Sequence, residues 1–140
     1  MDITVREVMT VGVETISPSA TLEQAAKKMK EHNIGILPVV EEEELLGVVT
    51  DRDIVLRAVS ELLRPEMTRV LEVMTPQAIS CYEDQSITEA SLVMEKHLVH
   101  RLIVLDRNAK LVGIVSLSDL AAKAKSEKLS GHVLGNVSAA

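Results

Sequence analysis

Short apolar runs alternate with stretches in which apolar residues return every three or four positions, and the whole series occurs twice. Residues 13–16 read as a short strand, and Ser17-Pro18-Ser19 turns the chain. Thr21 and Gln24 form a capping box, in which hydroxyl and amide satisfy free N–H groups at a helix start. Leu22, Ala25, Ala26 and Met29 then share one helical face. Residues 36–40 form a buried strand, with Pro38 placed where its missing N–H is not needed. The acidic run 41–44 is a solvated hairpin turn, 45–49 is the next strand, and 51–59 is a helix. In the second series, residues 78–81 are a strand, and Ser86 with Glu89 caps a helix carrying Ile87, Ala90 and Met94. Strands at 101–105 and 111–115 flank a turn at 106–109, and a helix covers about 117–124. Residues 126–140 are rich in small side chains and weakly patterned, which predicts a loose tail or a partner-bound segment.

The duplication can be read residue by residue. Val5-Arg6-Glu7-Val8-Met9-Thr10 recurs as Val70-Leu71-Glu72-Val73-Met74-Thr75, an offset of 74 − 9 = 65. The offset holds through Ala25/Ala90, His32/His97 and Val39/Val104 and becomes 66 at Gly47/Gly113 and Asp53/Asp119, so one residue is gained in a loop. Two copies of a strand-helix-strand-strand-helix unit, burying their apolar faces against each other, predict an α+β architecture. The boundaries are 1–65 for the first repeat, 66–126 for the second and 127–140 for the tail, with residues 60–69 as linker.

Composition narrows the chemistry. The 140 residues include no Phe or Trp and one Tyr, so the core is built from Val, Leu, Ile, Met and Ala. A net charge of −6 argues against a nucleic-acid partner, which needs a basic surface, but not against one small nucleotide held by local donors. Cys81 is the only cysteine, so no intrachain disulfide forms and a reducing cytoplasm fits. The N-terminus lacks the apolar core of a signal peptide, and no apolar run is long enough to span a bilayer.

The candidate chemistry lies at two strand-to-helix turns, Gly47-Val48-Val49-Thr50-Asp51-Arg52-Asp53 and Gly113-Ile114-Val115-Ser116-Leu117-Ser118-Asp119. A carboxylate can accept hydrogen bonds from both ribose hydroxyls, a hydroxyl at a helix start suits an anion, and arginine matches phosphate geometry. The same residues are capping boxes in form, so local stability alone also accounts for them, and the two roles can coexist. His100 and Arg101 fit either phosphate contact or a surface ion pair, and Arg52 fits either equally. His32 and His97 near helix ends read as helix-terminus stabilisers rather than metal ligands. Cys81 reads as a packed strand residue, and Tyr82 either lines a pocket or sits on a surface turn. No phosphate-binding glycine loop, nucleophile elbow or metal cluster supports an enzyme.

These motifs resemble the CBS domain pair, or Bateman module, over about residues 4–125. Thr50-Asp51-Arg52-Asp53-Ile54 is similar to stand-alone bacterial and archaeal pairs. Val99-His100-Arg101-Leu102 with residues 113–119 is similar to the gamma subunit of AMP-activated protein kinase. The resemblance implies a pseudo-twofold disc with two clefts for AMP, ADP, ATP or S-adenosylmethionine. One cleft would place Thr15 and Ile16 beside adenine, Ile34, Gly35, Ile36 and Pro38 as apolar walls, Asp119 on the ribose, and Ser116, Ser118, His100 and Arg101 at the phosphates. The other would use Ser80, Cys81, Val99, Arg101 and Ile103 around the base, with Thr50, Arg52 and Asp53 for ribose and phosphate. This second cleft departs from the family, because Ile103 replaces a proline and Arg101 falls at an adenine-wall position. The implied function is a regulatory adenosine sensor without catalysis or a required cofactor, homodimeric and acting on an effector protein. The rival is a constitutive dimerisation or protein-interaction module that binds no nucleotide.

Overall fold

The computed structural model describes residues 3–126. The predicted tail, 127–140, lies outside the described residues. The described residues divide into two compact units, Glu14–Ala78 and a second one that combines residues 3–13 with residues 79–126.

The first unit contains α1 (Leu22–His32), β1 (Ile36–Glu41), β2 (Glu44–Thr50), α2 (Asp51–Ile54), α3 (Val70–Val73) and β3 (Thr75–Pro76). Its sheet runs β1-β2-β3, all antiparallel. At the start of α1, Thr21 Oγ1 accepts from Gln24 N at 3.2 Å while Gln24 Oε1 accepts from Thr21 N at 2.9 Å, which is the reciprocal cap the sequence predicts. Glu42 and Glu43 turn the β1–β2 hairpin in the left-handed region, with φ of 51° and 66°, as a two-residue turn requires. The helix predicted over 51–59 starts as α2 and widens into a π-helical turn at Val55–Val59. The predicted strand 13–16 reduces to one parallel bridge between Ile16 and Val39. There Ile16 N donates to the Pro38 carbonyl at 3.0 Å. In a strand the N and O of one residue face the same edge, so the missing Pro38 N–H falls on that bridge side and removes no bond from the β1–β2 ladder.

The second unit contains β4 (Ser80–Tyr82), α4 (Ile87–His97), β5 (Arg101–Leu105), β6 (Leu111–Ser116) and α5 (Leu117–Ser126), preceded in sequence by a 3-10 turn at Val5–Glu7. β4 runs parallel to β5, and β5 antiparallel to β6. Ser86 and Glu89 cap α4 in the same reciprocal way. Both long helices end on a left-handed residue, Asn33 and Leu98, each with φ of 54°.

Each unit has its own aliphatic core. Leu22, Ala25, Leu37, Val39, Val49 and Val70 anchor the first, and Val5, Ala90, Met94, Leu102, Val104 and Val115 the second. Val70 and Val5 occupy equivalent positions in the duplicated lead segments, yet each is buried with the body of the other repeat. The bridges Thr21↔Arg69 and Thr4↔Ser86 fix this exchange. It brings the lead segments across Gly47 and Gly113. A Cβ on Gly47 would lie 2.3 Å from the Thr75 carbonyl oxygen, and one on Gly113 would lie 2.8 Å from that of Thr10. Only hydrogen fits at either crossing.

Candidate functional site

The Ser116 turn joins β6 to α5. Ser116 N donates to Asp119 Oδ2 at 2.8 Å, and Asp119 N donates to Ser116 Oγ at 3.1 Å. Ser118 Oγ lies 2.8 Å from Ser116 Oγ. Leu117 N donates to the His100 carbonyl at 2.8 Å, and Arg101 is the ladder partner of Ser116. His100, Arg101, Ser116, Ser118 and Asp119 are therefore brought together at one end of the second unit's sheet. The side chains of His100 and Arg101 are exposed and form no hydrogen bond or ion pair among the described residues. Asp119 Oδ1 likewise has no partner among them, so the capping carboxylate keeps one acceptor oxygen.

Asp119 also lines an open depression of about 280 Å³ with Glu7, Val8, Ala122 and Lys123. The Thr4 backbone N–H and then its hydroxyl hold the Glu7 carboxyl below its ordinary value, and the Lys123 charge adds to this. Glu7 and Lys123 are not among the residues the sequence motifs single out. Lys123 had a signal, since it follows Asp119 by one helical turn and so shares its face. Glu7 had none, because only the exchange of lead segments brings it beside α5.

The Thr50 turn repeats the design with different consequences. Thr50 N donates to Asp53 Oδ2 at 2.9 Å, and Asp53 N donates to Thr50 Oγ1 at 3.0 Å. Here Asp53 Oδ1 is engaged as well. It accepts from Thr75 Oγ1 at 3.1 Å and lies 3.9 Å from Arg57 Nε. Asp53 is 9% exposed. Asp51 N donates to the Gly35 carbonyl at 3.0 Å, matching the Leu117–His100 bond, while Asp51 Oδ1 accepts from Arg52 N at 2.8 Å. Arg52 is exposed, and its guanidinium has no partner among the described residues.

The residues expected around the base fall on the strands or just before them. In the first unit, Ile16, Ile36 and Pro38 lie along β1 and its bridge, and Ile34 packs on the core. The Thr15 carbonyl accepts from Lys28 Nζ. In the second unit, Ser80 pairs with Ile103, and Val99 packs on the core. Cys81 turns its side chain into that core, and burial pushes its thiol up to about 11, which leaves only its backbone to meet a ligand. Tyr82 lies at the surface with the Arg107 guanidinium 4.0 Å above its ring. His32 ends α1 and sits 3.0 Å from Glu14. Among the described residues, no group of three His, Cys, Asp or Glu side chains could hold a metal ion. No described helix is long and apolar enough to cross a membrane.

The pattern of the CBS domain family matches residues 5–60 and again 70–126. The chain belongs to the CBS domain family. It is 43% identical over 134 residues to the CBS domain-containing protein YhcV of Bacillus subtilis, covering 96% of this chain and 94% of that one. Its structure is similar to Hypoxic Response Protein I, solved with two coordinated zinc ions, at 36% identity and a TM-score of 0.76, covering 86% of this chain and 98% of that one. It is also similar to the CBS domain pair of protein MJ0100, solved with 5′-methylthioadenosine and S-adenosylmethionine. That match has 26% identity and a TM-score of 0.80, and covers 91% of this chain and 99% of that one. The mixed α and β composition and the two three-stranded sheets agree with tandem CBS motifs.

Proposed function

We propose that the chain is a regulatory module that binds an adenosine ligand and performs no chemistry on it. The observation that carries this reading is the Ser116 turn. A capped carboxylate with one unengaged oxygen stands beside two exposed, unpartnered donors, His100 and Arg101. The carboxylate suits a ribose hydroxyl, and the guanidinium suits a phosphate. Adenine needs an apolar slot, which aliphatic side chains supply without aromatics, and a few backbone hydrogen bonds. No cofactor is required, and the bound ligand acts only through its differential affinity for two states of the module. The MJ0100 pair, with adenosine compounds bound, supports the ligand class.

Calorimetric titration of the nucleotide-stripped protein with AMP, ADP, ATP and S-adenosylmethionine tests this. Arg101→Ala is expected to weaken AMP binding by at least ~10-fold, about the loss of one charge-assisted contact. Its melting temperature should not move, because the side chain is exposed. Absence of binding by all four compounds sinks the reading.

A second reading is a constitutive interaction module. The exposed apolar side chains Val55, Leu56, Val59 and Leu62 favour it, as they also favour the homodimer expected of the family. It predicts an unchanged oligomeric state with or without nucleotide, measured by light scattering, and no calorimetric signal.

A further inference from the structure

The Thr50 and Ser116 turns share one backbone plan but differ in charge. We propose that Asp51 makes the Thr50 turn refuse a phosphate. That turn then takes an adenosine ligand whose 5′ substituent is neutral or cationic, and the phosphorylated ligand goes to the Ser116 turn. This inference rests on the adenosine reading above.

The equivalence of positions follows from hydrogen bonds. Asp51 N donates to the Gly35 carbonyl as Leu117 N donates to that of His100. Ile36 pairs with Thr50 as Arg101 pairs with Ser116. Gly35 thus stands where His100 stands, Ile36 where Arg101 stands, and Asp51 where Leu117 stands. A Cβ on Gly35 would lie 2.8 Å from Asp51 Oδ2. The carboxylate therefore lies against the backbone position that carries the imidazole in the other turn. Where one turn has a histidine and a leucine, the other has a glycine and an anion.

The neighbours do not restore the balance. Ile36 carries no charge, and Arg52 can at most neutralise Asp51, so the pair presents no net positive charge. Both oxygens of Asp53 are engaged. A phosphate brought to this turn meets a like charge at short range. A sulfonium meets an opposite one, and a neutral thioether meets neither.

The test is calorimetry on the full chain with AMP and with neutral 5′-methylthioadenosine. We expect one AMP per chain, weakened at least ~10-fold in Arg101→Ala, while methylthioadenosine still binds that variant as it binds the wild type. Asp51→Asn keeps the shape and removes the charge. It is expected to bind a second AMP at least ~10-fold more tightly than the wild type does at that turn. Asp51→Ala must act in the same direction, which separates the charge from any effect on the hydrogen bond to Arg52 N. A wild-type AMP count other than one, or no second AMP in either Asp51 variant, overturns the inference. If neither compound binds the wild type, the adenosine reading fails and takes this inference with it.

Discussion

Gly47 is a place where one methyl group tests the exchange of lead segments. β3 crosses it as the pairs Gly47↔Pro76 and Val48↔Thr75. An alanine Cβ would meet the Thr75 carbonyl oxygen at 2.3 Å and Pro76 Cα at 2.9 Å. Carbon contacts are favourable at about 3.5–4.0 Å, so β3 would have to retreat by ~1 Å. Both obstacles are backbone atoms and cannot swing away. Overpacking of this kind costs about 1–3 kcal/mol. Against it stands the reduced freedom of the unfolded chain, which favours alanine by about 0.4–1 kcal/mol where the native backbone tolerates it. The clash wins, leaving a net loss of ~1–2 kcal/mol and a melting temperature lower by about 4–8 °C for a chain of this length. At Gly113 the contacts are shallower, with the mobile Met9 Sδ at 2.7 Å and the backbone Thr10 carbonyl oxygen at 2.8 Å, so the lead segment has less far to retreat and Gly113→Ala should lose less than Gly47→Ala. Differential scanning calorimetry of both variants checks the order. A Gly47→Ala protein that melts at or above the wild type, or a Gly113→Ala protein that loses more, would refute the crossing geometry. The retreat has a second consequence, because Thr75 would draw its hydroxyl away from Asp53 Oδ1.

Three further outcomes are expected. With its thiol near 11, Cys81 is about one part in a thousand thiolate at pH 8. A disulfide reagent should then label it slowly until denaturant is added, and labelling of the native protein at the free-thiol rate would contradict its burial. The unfolded thiol ionises near 9.0 and the folded one near 11, so above pH 9 the unfolded chain holds fewer protons and stability falls as pH rises toward 11. For the caps, Asp119→Ala should cost ~1 kcal/mol, and Asp53→Ala about 2 kcal/mol because it also orphans the Thr75 hydroxyl. Urea titration should return that order, and the reverse order would show that Asp53 is not the more deeply engaged carboxylate.

Much of the fold was legible because the signals are local. The capping residues Thr21, Gln24, Ser86 and Glu89 each act within one helical turn, and each forms the bond its spacing predicts. The change of repeat offset from 65 to 66 falls in the turn between β5 and β6. There the Asp106 carboxylate accepts from Asn108 N and Lys110 N, and Ala109 takes φ of 63°. The exchange of lead segments was not legible. Val5 and Val70 look alike in sequence, and the bridges that assign each to the other repeat's body join residues far apart in the chain. Gly35 was read as an apolar wall, since nothing in its neighbourhood along the chain reveals that the Asp51 carboxylate lies against its missing side chain. A contact across a strand-to-helix turn needs the three-dimensional course of both.

The two carboxylates show why the capping and binding readings do not exclude each other, and why a shared motif is weak evidence for a shared ligand. A carboxylate offers about four acceptor positions on two oxygens, and a capping box uses one of them. At Asp119 the cap fixes the side chain through Oδ2 and leaves Oδ1 unengaged among the described residues. A ribose hydroxyl can then be accepted without breaking any bond, by a group already immobilised, so little ordering remains to be done on binding. At Asp53 the same cap is present, but Thr75 already donates to the second oxygen. A ligand there must share or displace that donor at a residue withdrawn from solvent. Helix stability alone is reason enough for both aspartates. What separates the turns is what surrounds the cap: Arg101, His100 and an unengaged oxygen at one, Asp51, Ile36 and Thr75 at the other.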